Sequence, residues 1–288
     1  MSIKIVTDSS CDLGIDFVKK NNIEFVPLLL NLDGENIEDD LGKSLGYREF
    51  YDKLREGSMP STSQINIYTF EEKFRELLNE GYEILYVGLS SALSGTFNSA
   101  NMARNNILEE NPKAKISVVD SLSVSMGVGM LVKKSCDMIE EGKDLEYITT
   151  WIEENKNKVI HSILVDDLKH LKRGGRISAS TAAVGSLLNI KPILKIDNNG
   201  AVEATEKIKG KKKALKYLAT VVKEKALNIE SETLYIMHGD ALEEAQALKD
   251  IILQELNFKE IKIQYIGTVI GSHGGPGAIA TIFWGNER

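Results

Sequence analysis

The 288-residue chain has only two cysteines, Cys11 and Cys136, far apart and without C-x-x-C or metal-ligand spacing. Neither a disulfide framework nor a zinc site is therefore expected. No apolar run approaches the ~20 residues that span a membrane, and the opening MSIKIVTDSS goes straight into a strand without a signal-peptide pattern. A cytoplasmic location follows as an expectation, with at most transient membrane contact. There is no excess of positive charge. Lys and Arg number 35 against 42 Asp and Glu, a net charge of −7, which excludes a general nucleic-acid binder. The chain also lacks a G-x-G-x-x-G, a Gly-Lys-Ser/Thr ending and a G-x-S-x-G frame, so neither a nucleotide site nor a nucleophile elbow is marked. No internal repeat or low-complexity segment is visible.

What is present centres on Leu85–Ala103, LYVGLSSALSGTFNSANMA. An apolar strand runs into a hydroxyl-rich turn, Ser90 to Thr96, and a helix is predicted to begin near Thr96. The first N–H groups of that helix lack intrahelical partners and share the turn with the hydroxyls of Ser91, Ser94 and Thr96. Such a turn suits a small anion. Serine and glycine also cap and turn helices for purely structural reasons, so the pattern alone leaves both readings open.

Around this stretch, strands are predicted at Ile3–Thr7, Phe25–Leu32 and Lys115–Asp120. Helices are predicted at Asp12–Asn21, Tyr47–Glu56, from after Asn66 to Gly81, and at Val124–Glu141. Met59–Gln64 reads as a loop. This alternation describes a parallel sheet with crossover helices, up to about residue 157. Beyond it the signals are those of an α+β arrangement. A strand is expected at Ile160–Val165, a hairpin at Asn198-Asn199-Gly200, a helix at Ala214–Lys225 behind a lysine cluster, and a glycine-rich loop at Gly271–Gly277 before a closing strand, Ala278–Trp284. The expected fold is thus α/β in two domains, a parallel-sheet domain over residues 1–157 and an α+β domain over 158–288. The segment 179–196 is strongly apolar with small residues and almost no polar face, as suits core packing or the wall of an apolar tunnel.

Several strings in this order resemble the DegV family of bacterial fatty-acid-binding proteins. SSALSGTFNSA resembles its Ser-Ser-x-Leu-Ser-Gly-Thr signature, and Thr7-Asp8-Ser9, Thr62-Ser63-Gln64, Leu168 to Ile177 and His273 to Gly277 resemble four more of its motifs. Three positions depart from the family pattern: Ile65 stands for a proline, Lys209 for a frequent arginine, and Gly274 for a threonine or valine. The resemblance implies a non-enzymatic carrier that holds a long-chain fatty acid such as palmitate and presents it to a fatty acid kinase. It assigns the carboxylate to Thr62, Ser63, Ser94, Gly95, Thr96, Arg173 and His273, and partner docking to Lys209. No metal or other cofactor is implied. The competing reading is a serine hydrolase with Ser94 as nucleophile, His273 as base and Asp8 or Asp120 as orienter, since triads occur in several chain orders.

Overall fold

In the computed structural model, residues 2–166, 168–177 and 189–288 are described. The chain runs β1 (Ile3–Asp8), a 3-10 turn at Ser9–Cys11, α1 (Ile15–Lys20), β2 (Glu24–Val26), β3 (Leu29–Leu32), β4 (Glu35–Glu38), α2 (Tyr47–Arg55), β5 (Ser61–Ser63) and α3 (Ile67–Asn79). It continues through β6 (Glu83–Gly88), α4 (Thr96–Glu110), β7 (Ile116–Asp120), α5 (Met126–Glu140) and α6 (Leu145–Asn155). The remainder is β8 (Val159–Leu164), α7 (Lys169–Gly174), β9 (Ile190–Ile196), β10 (Val202–Lys209), α8 (Lys211–Lys225), β11 (Thr233–His238), α9 (Leu242–Leu253), β12 (Glu260–Tyr265), α10 (Thr268–Gly274) and β13 (Ile279–Trp284).

The described residues form three sheets. Strands β2-β1-β6-β7 form a wholly parallel sheet, β10-β9-β8-β13-β11-β12 a mixed one, and β4-β3-β5 a small antiparallel one. β6 is buried at every position, as a central strand covered on both faces must be. On one face Ile84 and Tyr86 pack against Phe70, Phe74 and Ala103 of α3 and α4. On the other, Leu85 and Val87 share a core with α5, α6 and the inner face of the mixed sheet. Helix α5 lies between the two sheets, and its glycines permit this: a β-carbon on Gly129 would stand 2.8 Å from the Cys11 carbonyl, and one on Gly127 would strike the His161 ring. The outer face of the mixed sheet is covered by α8 and α9 through Leu218, Val222, Leu248 and Ile252.

Three predicted elements differ from those observed. Phe25–Leu32 is two strands, because Pro27 has no N–H to give a ladder, and β2 and β3 join different sheets. The expected loop at Met59–Gln64 contains β5, whose pairing with β3 sets Thr62 opposite Leu30. The expected glycine loop from Gly271 begins inside α10, so His273 sits in the last turn of a helix.

The start of α10 is held by buried acids. Asp12, in the left-handed conformation after the 3-10 turn, accepts a hydrogen bond from the Gly267 N–H at 3.0 Å and another from the Ser125 hydroxyl. Asp39 bonds Ser9 and Thr268. Burial is the largest cause pushing the Asp12 carboxyl up, to about 8. An acid whose folded pKa lies above its unfolded value stabilises the fold while protonated, and that stability is lost as pH rises through the folded value. Asp12→Asn, neutral at every pH and similar in shape, is therefore expected to melt higher than wild type in alkaline buffer. The gain should shrink in mildly acidic buffer, with roughly 2–4 °C for each kcal/mol recovered, as scanning calorimetry at two pH values would show.

Candidate functional site

The Ser90–Thr96 turn leaves the carboxyl end of β6 and is fixed from both sides by aspartates at the ends of neighbouring strands. Asp8 accepts the Leu89 N–H at 2.8 Å and the Tyr86 hydroxyl at 2.9 Å, besides the Ser10 N–H and hydroxyl. Asp120 accepts the N–H groups of Ser91 at 3.2 Å and Leu122 at 3.0 Å. Ser90 donates to the Gly200 carbonyl at 2.8 Å, which ties the β9–β10 hairpin to the turn. Gly200 is required there: its φ is +80°, and a β-carbon would lie 2.1 Å from Ser90 Oγ.

At the start of α4, Ser94 Oγ and Thr96 Oγ1 are 2.9 Å apart, and Ser94 Oγ also accepts the Thr96 N–H at 3.3 Å. Thr96 is fully buried and its hydroxyl accepts the Ile65 N–H at 3.3 Å. Gly95 has the Gln64 amide laid across it, 1.9 Å from where a β-carbon would be, so a side chain at this position would have to displace the Gln64 amide. The first-turn N–H groups of α4 have no intrahelical acceptors and bring the partial positive charge of a helix N-terminus.

Facing this turn is a second set of polar groups. Thr62 Oγ1 lies 2.9 Å from His273 Nε2, across a sequence distance of 211 residues. The other ring nitrogen of His273 rests on Gly174, where a β-carbon would stand 2.3 Å away, and it has no hydrogen-bond partner among the described residues. Burial is the main cause holding His273 down to about 4, with Arg176, Arg173 and His170 adding repulsion, so the ring is neutral at pH 7. Helix α7 ends in a left-handed Gly175, with Gly175 N–H bonded to Lys172 O and Arg176 N–H to Leu171 O. That reversal carries Arg176 back over the turn, where its Nε donates to the Leu93 carbonyl at 3.0 Å.

Behind these groups lies a cavity whose lining is almost entirely apolar. Ser94, Arg176 and His273 line it at one end. The walls are Leu89 and Leu93 from the turn, Ile266, Val269 and Ile270 from the α10 region, and the inward residues of the mixed sheet. Adjacent positions on β8 and β13 grade away from the polar end: Ala278 beside Val165, then Ala280 opposite Ile163, then Ile282 opposite His161. Leu194 and Ile196, from the apolar segment 179–196, are part of the wall, whereas residues 179–188 of that segment lie outside the described residues.

Of the predicted ligand residues, Thr62, Ser94, Thr96 and His273 meet at the mouth. Ser63, next to Thr62 on β5, is exposed, as the two-residue period of a strand requires. Arg173 is exposed and does not line the cavity; its guanidinium reaches the Pro60 carbonyl at 3.4 Å and lies 3.4 Å from His170 Nδ1. Among the described residues the arginine that lines the cavity is Arg176, three residues further along the same motif. Lys209 is exposed at the end of the edge strand β10. The hydrolase arrangement is not assembled: His273 is bonded to Thr62, Ser94 to Thr96, and both Asp8 and Asp120 are engaged by backbone and hydroxyl donors of the turn. Among the described residues no cluster of His, Cys, Asp and Glu could hold a metal ion, and no helix is long and apolar enough to cross a membrane.

A family model described as "Uncharacterised protein, DegV family" matches residues 2–285. The chain belongs to the DegV family. A DegV domain-containing protein of Clostridium perfringens is 44% identical over 284 residues, covering 99% of this chain and 98% of that protein. Among solved DegV structures, a protein of Thermus thermophilus described by its fatty acid binding is 33% identical, with a TM-score of 0.89 over 99% of this chain and 100% of that one. A DegV protein of Eubacterium eligens loaded with heptadecanoic acid is 28% identical, with a TM-score of 0.84 over 99% and 100% of the two chains. The parallel sheet and mixed sheet described above are therefore the DegV fold. Within it, Arg176 lines the cavity although the sequence reading does not single it out, even though it stands in the Arg-Gly-Gly-Arg string that carries part of the resemblance.

Proposed function

We propose that this DegV chain binds a long-chain fatty acid such as palmitate, with the carboxylate at the mouth and the acyl tail in the cavity. The observation that carries the reading is the one-sidedness of that cavity: hydroxyls, a helix start and a guanidinium at one end, and almost wholly apolar walls beyond. A fatty acid is ionised at neutral pH, with a pKa of roughly 4–5 by analogy with side-chain carboxylates, and needs donors once it leaves water. The hydroxyls of Thr62 and Ser94, the N–H groups after Gly95 and the Thr96 start of α4 supply them, and Arg176 supplies the positive charge that a neutral His273 does not. Ser63 and Arg173 then act outside the carboxylate shell, Arg173 by holding the Pro60 carbonyl beside β5. Each buried methylene contributes about 0.8 kcal/mol, so the tail accounts for affinity and the polar end for orientation.

In this reading the protein is a cytoplasmic carrier that transforms nothing itself and presents the acid to a fatty acid kinase, with Lys209 as a contact for that partner. Residues 1–157 carry the hydroxyl side of the site, and residues 158–288 carry the arginine, the histidine and most of the tail wall. The test is a titration comparing palmitate with its methyl ester. The acid is expected to bind at least tenfold tighter, because the ester cannot recruit the cation or the helix start. Equal affinities would contradict the carboxylate assignment, and failure of both to bind would contradict the function.

A further inference from the structure

The end of the cavity furthest from the carboxylate groups is closed in an unusual way. β8 and β9 pair only between Ser162–Leu164 and Ile193–Lys195, so Val159, Ile160 and His161 have no ladder partner on that side. Continuing the register would set Ile160 opposite Asp197. The side chain of Arg288 occupies this fork. Its Nε donates to the Val159 carbonyl at 3.0 Å and its Nη1 to the Asp197 carbonyl at 2.9 Å, so the guanidinium spans the two strands where ladder bonds would have run. Its remaining donors reach the Leu122 and Lys156 carbonyls and the Ser123 hydroxyl, at 2.7 Å for the last. Burial lowers its pKa to about 10, which leaves it charged at neutral pH.

Directly in front of this plug is His161. It is 2% exposed, its Nε2 lies 3.2 Å from the Val124 carbonyl, and its ring is pressed against Gly127. On β8 it is four residues from Val165 at the carboxylate end, a run of about 13 Å at the rise of a strand. Behind the fork, between the mixed sheet and α8, lies a second cavity of about 200 Å³ reaching Tyr217, Val221 and Lys225. Three residues, His161, Leu194 and Ile196, line both cavities, and Arg288 lines the second.

We propose that Arg288, backed onto the His161 ring, is the end-stop of the tail cavity and limits the length of acyl chain that the protein accepts. The stop is a side chain in a gap of the sheet, not the sheet itself, so removing it joins the two cavities. This inference rests on the fatty-acid reading above. Because the guanidinium also satisfies four carbonyls, one of them in a fully buried bond, Arg288→Ala is expected to melt lower than wild type. The informative quantity is accordingly a ratio of affinities measured within one folded protein.

The experiment is equilibrium binding of palmitate, stearate and behenate to wild type, Arg288→Ala and His161→Ala. In wild type, behenate is expected to bind more weakly than palmitate, since its last methylenes have no room. In Arg288→Ala each methylene that enters the joined cavity adds about fourfold to affinity, and the behenate-to-palmitate ratio is expected to rise at least tenfold. Loss of stability alone would weaken all three ligands together and leave the ratio unchanged. An unchanged ratio in folded Arg288→Ala overturns the proposal. If that variant does not fold, His161→Ala decides, because it thins the same wall from inside the cavity without touching the guanidinium bonds; a ratio equal to wild type overturns the proposal equally. A wild type that binds no palmitate sinks the fatty-acid reading instead, which separates the two failures.

Discussion

Replacing Thr62 by Val together with Ser94 by Ala is expected to weaken palmitate binding by roughly two to four orders of magnitude. Each hydroxyl would give the carboxylate a charge-assisted hydrogen bond of about 1.5–3 kcal/mol, and the two come from opposite sides of the mouth. Val is close to Thr in volume, and Ser94→Ala removes an acceptor at the start of α4 that is worth on the order of 1 kcal/mol. The double variant should therefore remain folded while losing its ligand. Isothermal titration against palmitate, with circular dichroism for the fold, measures both. The methyl ester should bind wild type and variant about equally, since it makes little use of these donors. A double variant that binds palmitate as wild type does would place the carboxylate elsewhere.

A block in the cavity should act on the tail in the same way. Ala280 lies on β13 opposite Ile163, midway between the carboxylate groups and His161, with its methyl group on the cavity. Ala280→Trp is expected to abolish detectable binding of palmitate, because the indole occupies the path of the chain and forfeits several methylenes at about 0.8 kcal/mol each. The same change also tells a cavity from a packed core. In a close-packed interior an added ring of that size costs about 1–3 kcal/mol or more, whereas here it enters space that a ligand would fill. The melting temperature of the unliganded protein should accordingly stay near wild type or rise. A large drop would show that position 280 is packed.

Much of this arrangement is legible in the chain. The apolar runs of β1, β6 and β7, each followed by a turn and a helix, specify a parallel sheet with ligands approaching the carboxyl ends of its strands. The hydroxyl turn before α4 suits an anion on local grounds, and equally a plain helix cap, so its pattern alone does not choose between them. Asn198-Asn199-Gly200 marks the hairpin that Ser90 later secures. Other features are invisible locally because they are made by distant segments. Apart from the resemblance, nothing local singles out Thr62, which comes to face His273, from the far end of the chain, because β5 pairs with β3. Arg176, not Arg173, reaches the cavity because the left-handed Gly175 reverses the chain between them, a matter of conformation that the string Arg-Gly-Gly-Arg does not spell out. His273 sits on a helix whose start is fixed by Asp12, and nothing near residue 273 announces that partner. The cavity has no local signature either: Ala278 and Ala280 read as ordinary strand residues until Ile163, Val269 and Leu194 are brought around them.

The most direct measurement is mass spectrometry of the extract from protein purified without added lipid and then denatured. Fatty-acid binding predicts close to one long-chain fatty acid per chain, and its absence from the Thr62→Val, Ser94→Ala double variant prepared in parallel. An empty extract from a folded protein that also takes up no palmitate when it is offered would contradict it.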